Sequence, residues 1–203
     1  MGVLNVTPDS FSDGGLYVEP EAAVARGSAL FEAGADLVND VSGFAFDPGL
    51  ARLVASRGVP AVLMHLRGDF ASMHRDPSYA NVMAEVIAEL GQAVGRAETA
   101  GVPRAQVIVD PGIGFSKAAE HSLEVIRRLS ELAVLDQPVL AGPSRKSFIG
   151  RVLDLPVGER LMGTAAAVAA CVLGGAHIVR VHDVAPMMQV VRMCDAIRGE
   201  RAA

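Results

Sequence analysis

The residues best placed to do chemistry in this sequence follow, one set after another, a series of short apolar runs. They are Asn5 and Asp9, Asn39 and Asp40, His65, Asp110, the trio Ser144-Arg145-Lys146, and finally Arg180, His182 and Asp183. Arg145, Lys146, Arg180 and His182 make a cationic set suited to a phosphate or diphosphate, because guanidinium and ammonium groups donate charge-assisted hydrogen bonds to such anions. Asp110 can accept two parallel hydrogen bonds from an amino-heterocycle, and Asn39 can both donate to and accept from a ring edge. Asn5 and Asp9 carry hard oxygens, compatible with Mg²⁺ shared with phosphate. Any one of these residues has an ordinary structural use, since Asp and Asn cap helices and a lone His often completes a hydrogen bond. Their recurrence after each run is what marks a site. The chemistry it fits is a flat polar heterocycle carrying a diphosphate.

The elements that must position them are legible in the spacing. The apolar runs are Gly2–Asn5, Asp36–Asn39, Ala61–His65, Gln106–Asp110, Pro138–Gly142 and Ile178–His182. They are continuous rather than alternating, as strands covered on both faces should be. Between them the spacing predicts helices over Glu19–Ala33, Asp47–Arg57, Tyr79–Ala100, Ala118–Leu132, Val157–Leu173 and Val184–Ile197. Asp47-Pro48 at one start and Gly58 just past the end follow the usual asymmetry of helix termini. Six alternating β/α units require a parallel sheet, as a barrel or a doubly wound sheet. In a barrel, the polar residues named above fall on the C-terminal rim, where βα loops build active sites. The opposite loops, Gly101-Val102-Pro103 and Ala133-Val134-Leu135, offer no chemistry.

Composition narrows the class. At 203 residues, 51% apolar and 20% charged, the chain can bury a real core and is not disordered. No linker or charge block divides it, so residues 1–203 read as a single domain. A net charge of −5 lacks the basic footprint of a nucleic-acid binder. No stretch is apolar enough for a membrane span, and the start shows no secretory leader. Cys171 and Cys194 lack metal-ligand spacing and read as small buried hydrophobes in a cytoplasmic protein. Met162, Met187 and Met188 are expected in the core, His74 and His121 on the surface or in loops, and His177 in a structural contact. The small residues Ala165–Ala170 are expected to let a helix pack closely.

The longer motifs around these residues resemble the dihydropteroate synthase family of pterin-binding barrels. The opening Gly2-Val3-Leu4-Asn5-Val6-Thr7-Pro8-Asp9-Ser10-Phe11-Ser12-Asp13-Gly14-Gly15 is similar to that family's first signature. Val38-Asn39-Asp40-Val41, Leu63-Met64-His65 and Asp110-Pro111-Gly112-Ile113-Gly114-Phe115-Ser116-Lys117 resemble its fourth, fifth and sixth. Gly142-Pro143-Ser144-Arg145-Lys146-Ser147-Phe148-Ile149-Gly150 and Arg180-Val181-His182-Asp183-Val184 resemble the seventh and eighth. The resemblance implies joining of 6-hydroxymethyl-7,8-dihydropterin diphosphate to 4-aminobenzoate, with release of diphosphate. It implies that Asn39, Asp110 and Lys146 hold the pterin, with Met64 and Gly142 lining its slot. Asn5, Arg180 and His182 would hold the diphosphate, with Mg²⁺ at Asn5, and Phe115, Lys117 and Ser144 would lie near the aminobenzoate. Lys146, Arg180 and His182 would be the catalytic residues.

The sequence also departs from the family. Its barrel has eight strands, whereas six units are recognisable here. After Ala33-Gly34-Ala35-Asp36 the chain passes directly to Leu37-Val38-Asn39-Asp40, where the family would run through two further units carrying a Thr-Arg pair and an Asp. At ~30 residues per unit, the difference is roughly 60 residues. The expectation is therefore a TIM-barrel-derived parallel βα repeat of six units. A closed six-strand barrel needs a different tilt and stagger, so an open barrel is expected. Such an edge predicts a homodimer or other self-association and turnover below that of an intact relative. Two other readings share the barrel: a non-catalytic pterin-binding protein, and the methyltetrahydrofolate-binding domain of a corrinoid methyltransferase system. The latter handles no diphosphate and has no use for Arg145 or the Arg180/His182 pair.

Overall fold

Among the described residues, five short parallel strands follow one another in sequence order, each followed by helix. The computed structural model describes residues 28, 29, 32, 34–68 and 78–199. The strands are β1 (Val38–Asp40), β2 (Ala61–Met64), β3 (Val107–Asp110), β4 (Leu140–Ala141) and β5 (Ile178–Val179). The first expected run, Gly2–Asn5, and most of the helix expected over Glu19–Ala33 lie outside the described residues. The α-helices are α1 (Pro48–Arg57), α2 (Val82–Thr99), α3 (Ala119–Arg127), α4 (Ser147–Leu153), α5 (Leu161–Leu173) and α6 (Val184–Arg198). Short 3₁₀ turns occupy Arg104–Gln106, Leu129–Leu135 and Val157–Glu159, so two of the expected helices are shorter than their spacing implied. Helix α4 was not anticipated; its seven residues are too few to show a helical period.

Strands β1, β2 and β3 pair in parallel, with Asp40 beside Leu63 and Met64 beside Asp110. A bridge from Val109 to Val139 hands the sheet to β4, and β4 pairs with β5. Met64 and Asp110 thus stand side by side, and Asn39, Gly142 and Arg180 join them at the carboxyl ends of their own strands, staggered by about two residues from that pair. Strand β2 is buried throughout, whereas β1 is only half-buried and Ile178 of β5 is exposed. The described strands thus form an open, curved sheet whose two outer members are the least covered.

The helices fold where their ends are paired. Asp47 caps α1 by accepting from the Gly49 N–H at 2.7 Å, and Gly58, at φ 62°, ends it by donating back to Val54 and Ala55. Asn81 caps α2. That helix buries Val82, Val86, Leu90, Val94 and Ala97 along one stripe against β2 and β3. A second, smaller core of Val168, Val172, Met187 and Cys194 sits between α5 and α6, where the small residues of α5 permit close approach. Met187 is core as expected, but Met162 is 77% exposed and Met188 is exposed too. Helix α5 is apolar almost all round, so hydropathy alone could not tell its covered face from its free one.

Candidate active site

The strand ends converge on Asp110. Its side chain is 1% exposed. One carboxylate oxygen accepts the Gly112 N–H at 2.8 Å, and the other accepts Arg180 Nη2 at 3.0 Å. The same guanidinium donates through Nη1 to Asn39 Oδ1 at 2.7 Å. Arg180 therefore ties the ends of β1, β3 and β5 together across the mouth. Gly112 is needed here. It has φ 67°, and a β-carbon on it would stand 2.1 Å from the His65 carbonyl oxygen. Met64 and Gly142 are buried nearby, and a β-carbon on Gly142 would crowd the Arg180 guanidinium.

Lys146 reaches in from the start of α4. Its ammonium donates to the Ile113 carbonyl and lies 4.2 Å from the centre of the Phe115 ring. Burial lowers its pKa to about 8, against the opposing pull of Asp110. The turn that aims it is held from several sides. Arg145 has φ 56°, uncommon for a side-chain-bearing residue. Its N–H donates to Thr164 Oγ1 at 3.0 Å, its carbonyl accepts Arg160 Nη1 at 3.0 Å, and its guanidinium pairs with Asp183. Arg145 is thus committed to Asp183 and is not a free member of the cationic set, which corrects the sequence reading. Ser144 Oγ accepts the His182 N–H at 3.2 Å and lies 2.9 Å from His182 Nδ1. The hydroxyl can still donate to Nδ1, the arrangement that would leave Nε2–H of the exposed His182 for an anion. Ser144 accordingly stands with His182.

Lys117 is displaced from the group it was expected to join. It is 7% exposed, and its ammonium donates to His65 Nδ1 at 2.8 Å and to the Phe115 carbonyl at 3.2 Å. His65, 3% exposed, turns its other nitrogen to Glu89 Oε2 at 2.9 Å. Glu89 also pairs with Arg67, which reaches Glu85 and stacks 4.1 Å over the Tyr79 ring. Burial brings the Lys117 pKa down to about 7 and lowers that of His65. Hydrogen bonds from His65 and Arg67 hold the Glu89 carboxyl at about 2. Sequence reasoning missed Arg67, Tyr79, Glu85 and Glu89. The one signal for them was the i,i+4 spacing of Glu85 and Glu89, which sets both carboxylates on one face of α2.

Other expectations resolve locally. Asp40 accepts from Ser42 Oγ and the Phe44 N–H, shaping the loop before α1; burial raises its pKa. His177 accepts the Val139 N–H at 3.1 Å, a structural contact as expected. His121 is half-buried in the first turn of α3 and packs edge-on to Tyr79, rather than standing free. Asn5, Asp9 and His74 lie outside the described residues. Among the described residues no group of three or more His, Cys, Asp or Glu side chains is placed to hold a metal ion. No described helix is long and apolar enough to cross a membrane.

The pattern of the pterin-binding enzyme family matches residues 1–38 and 28–182. The chain is 34% identical to the dihydropteroate synthase of Synechocystis, over 97% of this chain and 89% of that one. It is 31% identical to that of Escherichia coli K12, over 97% and 90%. The chain belongs to the dihydropteroate synthase family of pterin-binding enzymes. Its fold agrees. The Yersinia pestis synthase, solved as a sulfonamide drug complex, superposes with a TM-score of 0.81 at 27% identity, covering 98% of this chain and 93% of that one. The Thermus thermophilus synthase in complex with 6HMPPP superposes at 0.80 with 40% identity, over 89% and 70%. The Synechocystis alignment runs over 257 residues, longer than the 203 residues of this chain. The family pattern also matches in two pieces that meet at residues 28–38, the place where the sequence passes directly from one unit to a later one.

Proposed function

We propose that this dihydropteroate synthase family member condenses 6-hydroxymethyl-7,8-dihydropterin diphosphate with 4-aminobenzoate, giving dihydropteroate and diphosphate in folate biosynthesis. The observation that carries the reading is the meeting of Asn39, Asp110 and Arg180 side chains at the carboxyl ends of the strands, with Lys146 reaching in beside them. Asp110 and Asn39 would take the amino-pyrimidine edge of the pterin, Asp110 as acceptor and Asn39 as both donor and acceptor. Met64 and Gly142 would line the slot. For this the Arg180 guanidinium, itself shaped like that edge, leaves Asp110 and Asn39 and turns to the diphosphate beside His182 Nε2–H. Cations aimed at the departing diphosphate stabilise charge where it develops, which is the most effective use of preorganised donors. The methylene left on the pterin is cation-like, so the weakly basic aryl amine attacks it and then loses its proton. Lys146 would hold the pterin from the side of α4, and Phe115 would flank the aminobenzoate, with Ser144 acting on it only through His182.

Mg²⁺ is proposed with Asn5 as its protein oxygen, the remaining ligands being diphosphate and water, as suits a cation that dehydrates reluctantly. When bound it would add positive charge at the leaving group. A cytoplasmic location is supported by two buried free cysteines. Self-association is supported by exposed Met162, Val184, Met193 and Ile197 on α5 and α6. The test is a steady-state assay with dihydropterin diphosphate, aminobenzoate and Mg²⁺, run beside size-exclusion chromatography. Losing a group that stabilises leaving charge costs ~10²–10³ in rate, so turnover well below ~1 s⁻¹ is expected, in a species larger than a monomer. Absence of pterin diphosphate binding would overturn the assignment; full turnover by a monomer would overturn the predicted impairment.

A further inference from the structure

We propose that Glu89, on the outer helix α2, is a positioning residue that sets the state of the site from outside it, through His65 and Lys117. The role rests on the proposed pterin chemistry for its use, but its mechanism is readable in the unliganded protein. The geometry leaves one assignment. An ionised carboxylate can only accept, so His65 Nε2, 2.9 Å from Glu89 Oε2, must donate. Burial disfavours an imidazolium at His65, so a ring whose Nε2 donates has an Nδ1 that accepts, and Nδ1 lies 2.8 Å from Lys117 Nζ, a donor whether ammonium or amine. The imidazole is therefore the neutral Nε2–H tautomer, held at both ends, and the carboxylate favours a proton on Lys117 across the ring. Lys117 in turn donates to the Phe115 carbonyl at 3.2 Å. That residue's ring lies under Lys146, whose ammonium is held by the Ile113 carbonyl. One chain of contacts thus runs from the surface of α2 to a substrate-facing cation.

The charged groups acting on Lys117 from the elements packed around it, among the described residues, are Asp110 and Glu89, which favour its proton, and Lys146 and Arg67, which oppose it. Tyr79 lies 5.9 Å away with its phenol held neutral, and His121 stands behind it. Glu89 is the member of this set that reaches Lys117 through a hydrogen-bonded ring. Acting across one imidazole ring at an effective dielectric near ~20, and discounted because Glu89 is partly exposed, its charge should be worth about tenfold in the proton affinity of Lys117.

The test is nitrogen-15 NMR of the full chain labelled at His and Lys, as wild type, Glu89→Gln and Glu89→Asp. The wild type should show His65 as the Nε2–H tautomer from pH 6 to 8. The Lys117 midpoint should fall about one pH unit in Glu89→Gln and largely recover in Glu89→Asp. An Nδ1–H tautomer in the wild type, or a Lys117 midpoint that Glu89→Gln leaves in place, overturns the proposal. Calorimetry with dihydropterin diphosphate on the same samples tests the separate functional reading. The NMR result stands whether or not the ligand binds, so the two failures are distinguishable.

Discussion

Replacing Arg180 by Met removes the guanidinium while keeping an apolar stem, and its effects on stability and on ligand choice should run in different directions. In the free protein the guanidinium holds Asp110 at 3.0 Å and Asn39 at 2.7 Å. Asp110 is 1% exposed and Arg180 31% exposed. Stripping the partner from a fully buried ion pair costs about 3–5 kcal/mol, and from an exposed one about 0–1. With one partner buried, the other partly wet, and the Gly112 N–H still on Asp110, the loss should be about 2 kcal/mol. Thermal melts should therefore drop by roughly 4–8 °C for a chain of this size. Binding should respond according to the ligand. A hydroxymethyl-dihydropterin without diphosphate competes with Arg180 for Asp110 and Asn39, so the variant should bind it up to about 30-fold more tightly. The diphosphate form gains the same vacancy but loses a charge-assisted contact worth about 1.5–3 kcal/mol, leaving its affinity unchanged or lower. Calorimetry with both ligands on both proteins reads the difference. If the diphosphate-free pterin binds Arg180→Met no better than wild type, the guanidinium does not occupy the pterin's place and the reasoning fails.

Gly112→Ala should destabilise the chain by more than about 3 kcal/mol, since it combines a left-handed φ with a clash against backbone. Gly158→Ala, where a β-carbon meets nothing within 4 Å, should stay within about 0.5 kcal/mol, and chemical denaturation of the two measures the contrast. Four groups, His65, Glu89, Lys146 and Lys117, should each make stability rise with pH, because their folded pKa values lie below their unfolded ones and the unfolded chain binds the extra protons, with buried Asp40 opposing them at acid pH. The Glu89 share is present above pH 4.5 and lost toward pH 2, about 1–2 kcal/mol once solvent screening is allowed for. The His65 share goes as pH falls below 6.5, and the lysine share accrues from about pH 7 toward 10.5. Above about pH 9 the raised pKa values of Cys171, Cys194 and Tyr79 act the other way, so the lysine assignment is checked between about pH 7 and 8.5, where melting temperatures that fall would contradict it.

The order of units and the end of the strands at which the polar residues gather were legible in the sequence. Each depends on local facts: continuous apolar runs mean strands covered on both faces, and a polar residue directly after a run must sit at a strand's carboxyl end. Asn39, Asp110, Lys146 and Arg180 could be named without coordinates for that reason. Which partner each side chain takes was not legible, because hydrogen bonds between residues 70 or 141 positions apart leave no periodic trace in the chain. Arg145 shows the difference. Its neighbours mark it as part of an anion-binding set, yet Asp183, 38 residues on, claims its guanidinium and turns it into the anchor of a left-handed turn. Lys117 and His65 share that fate, drawn together by the parallel register of β2 and β3 and joined to Glu89 by the packing of α2 on those strands. Spacing along the chain decides which residues reach one rim; only tertiary packing decides which are buried there, and burial is what moves their proton affinities.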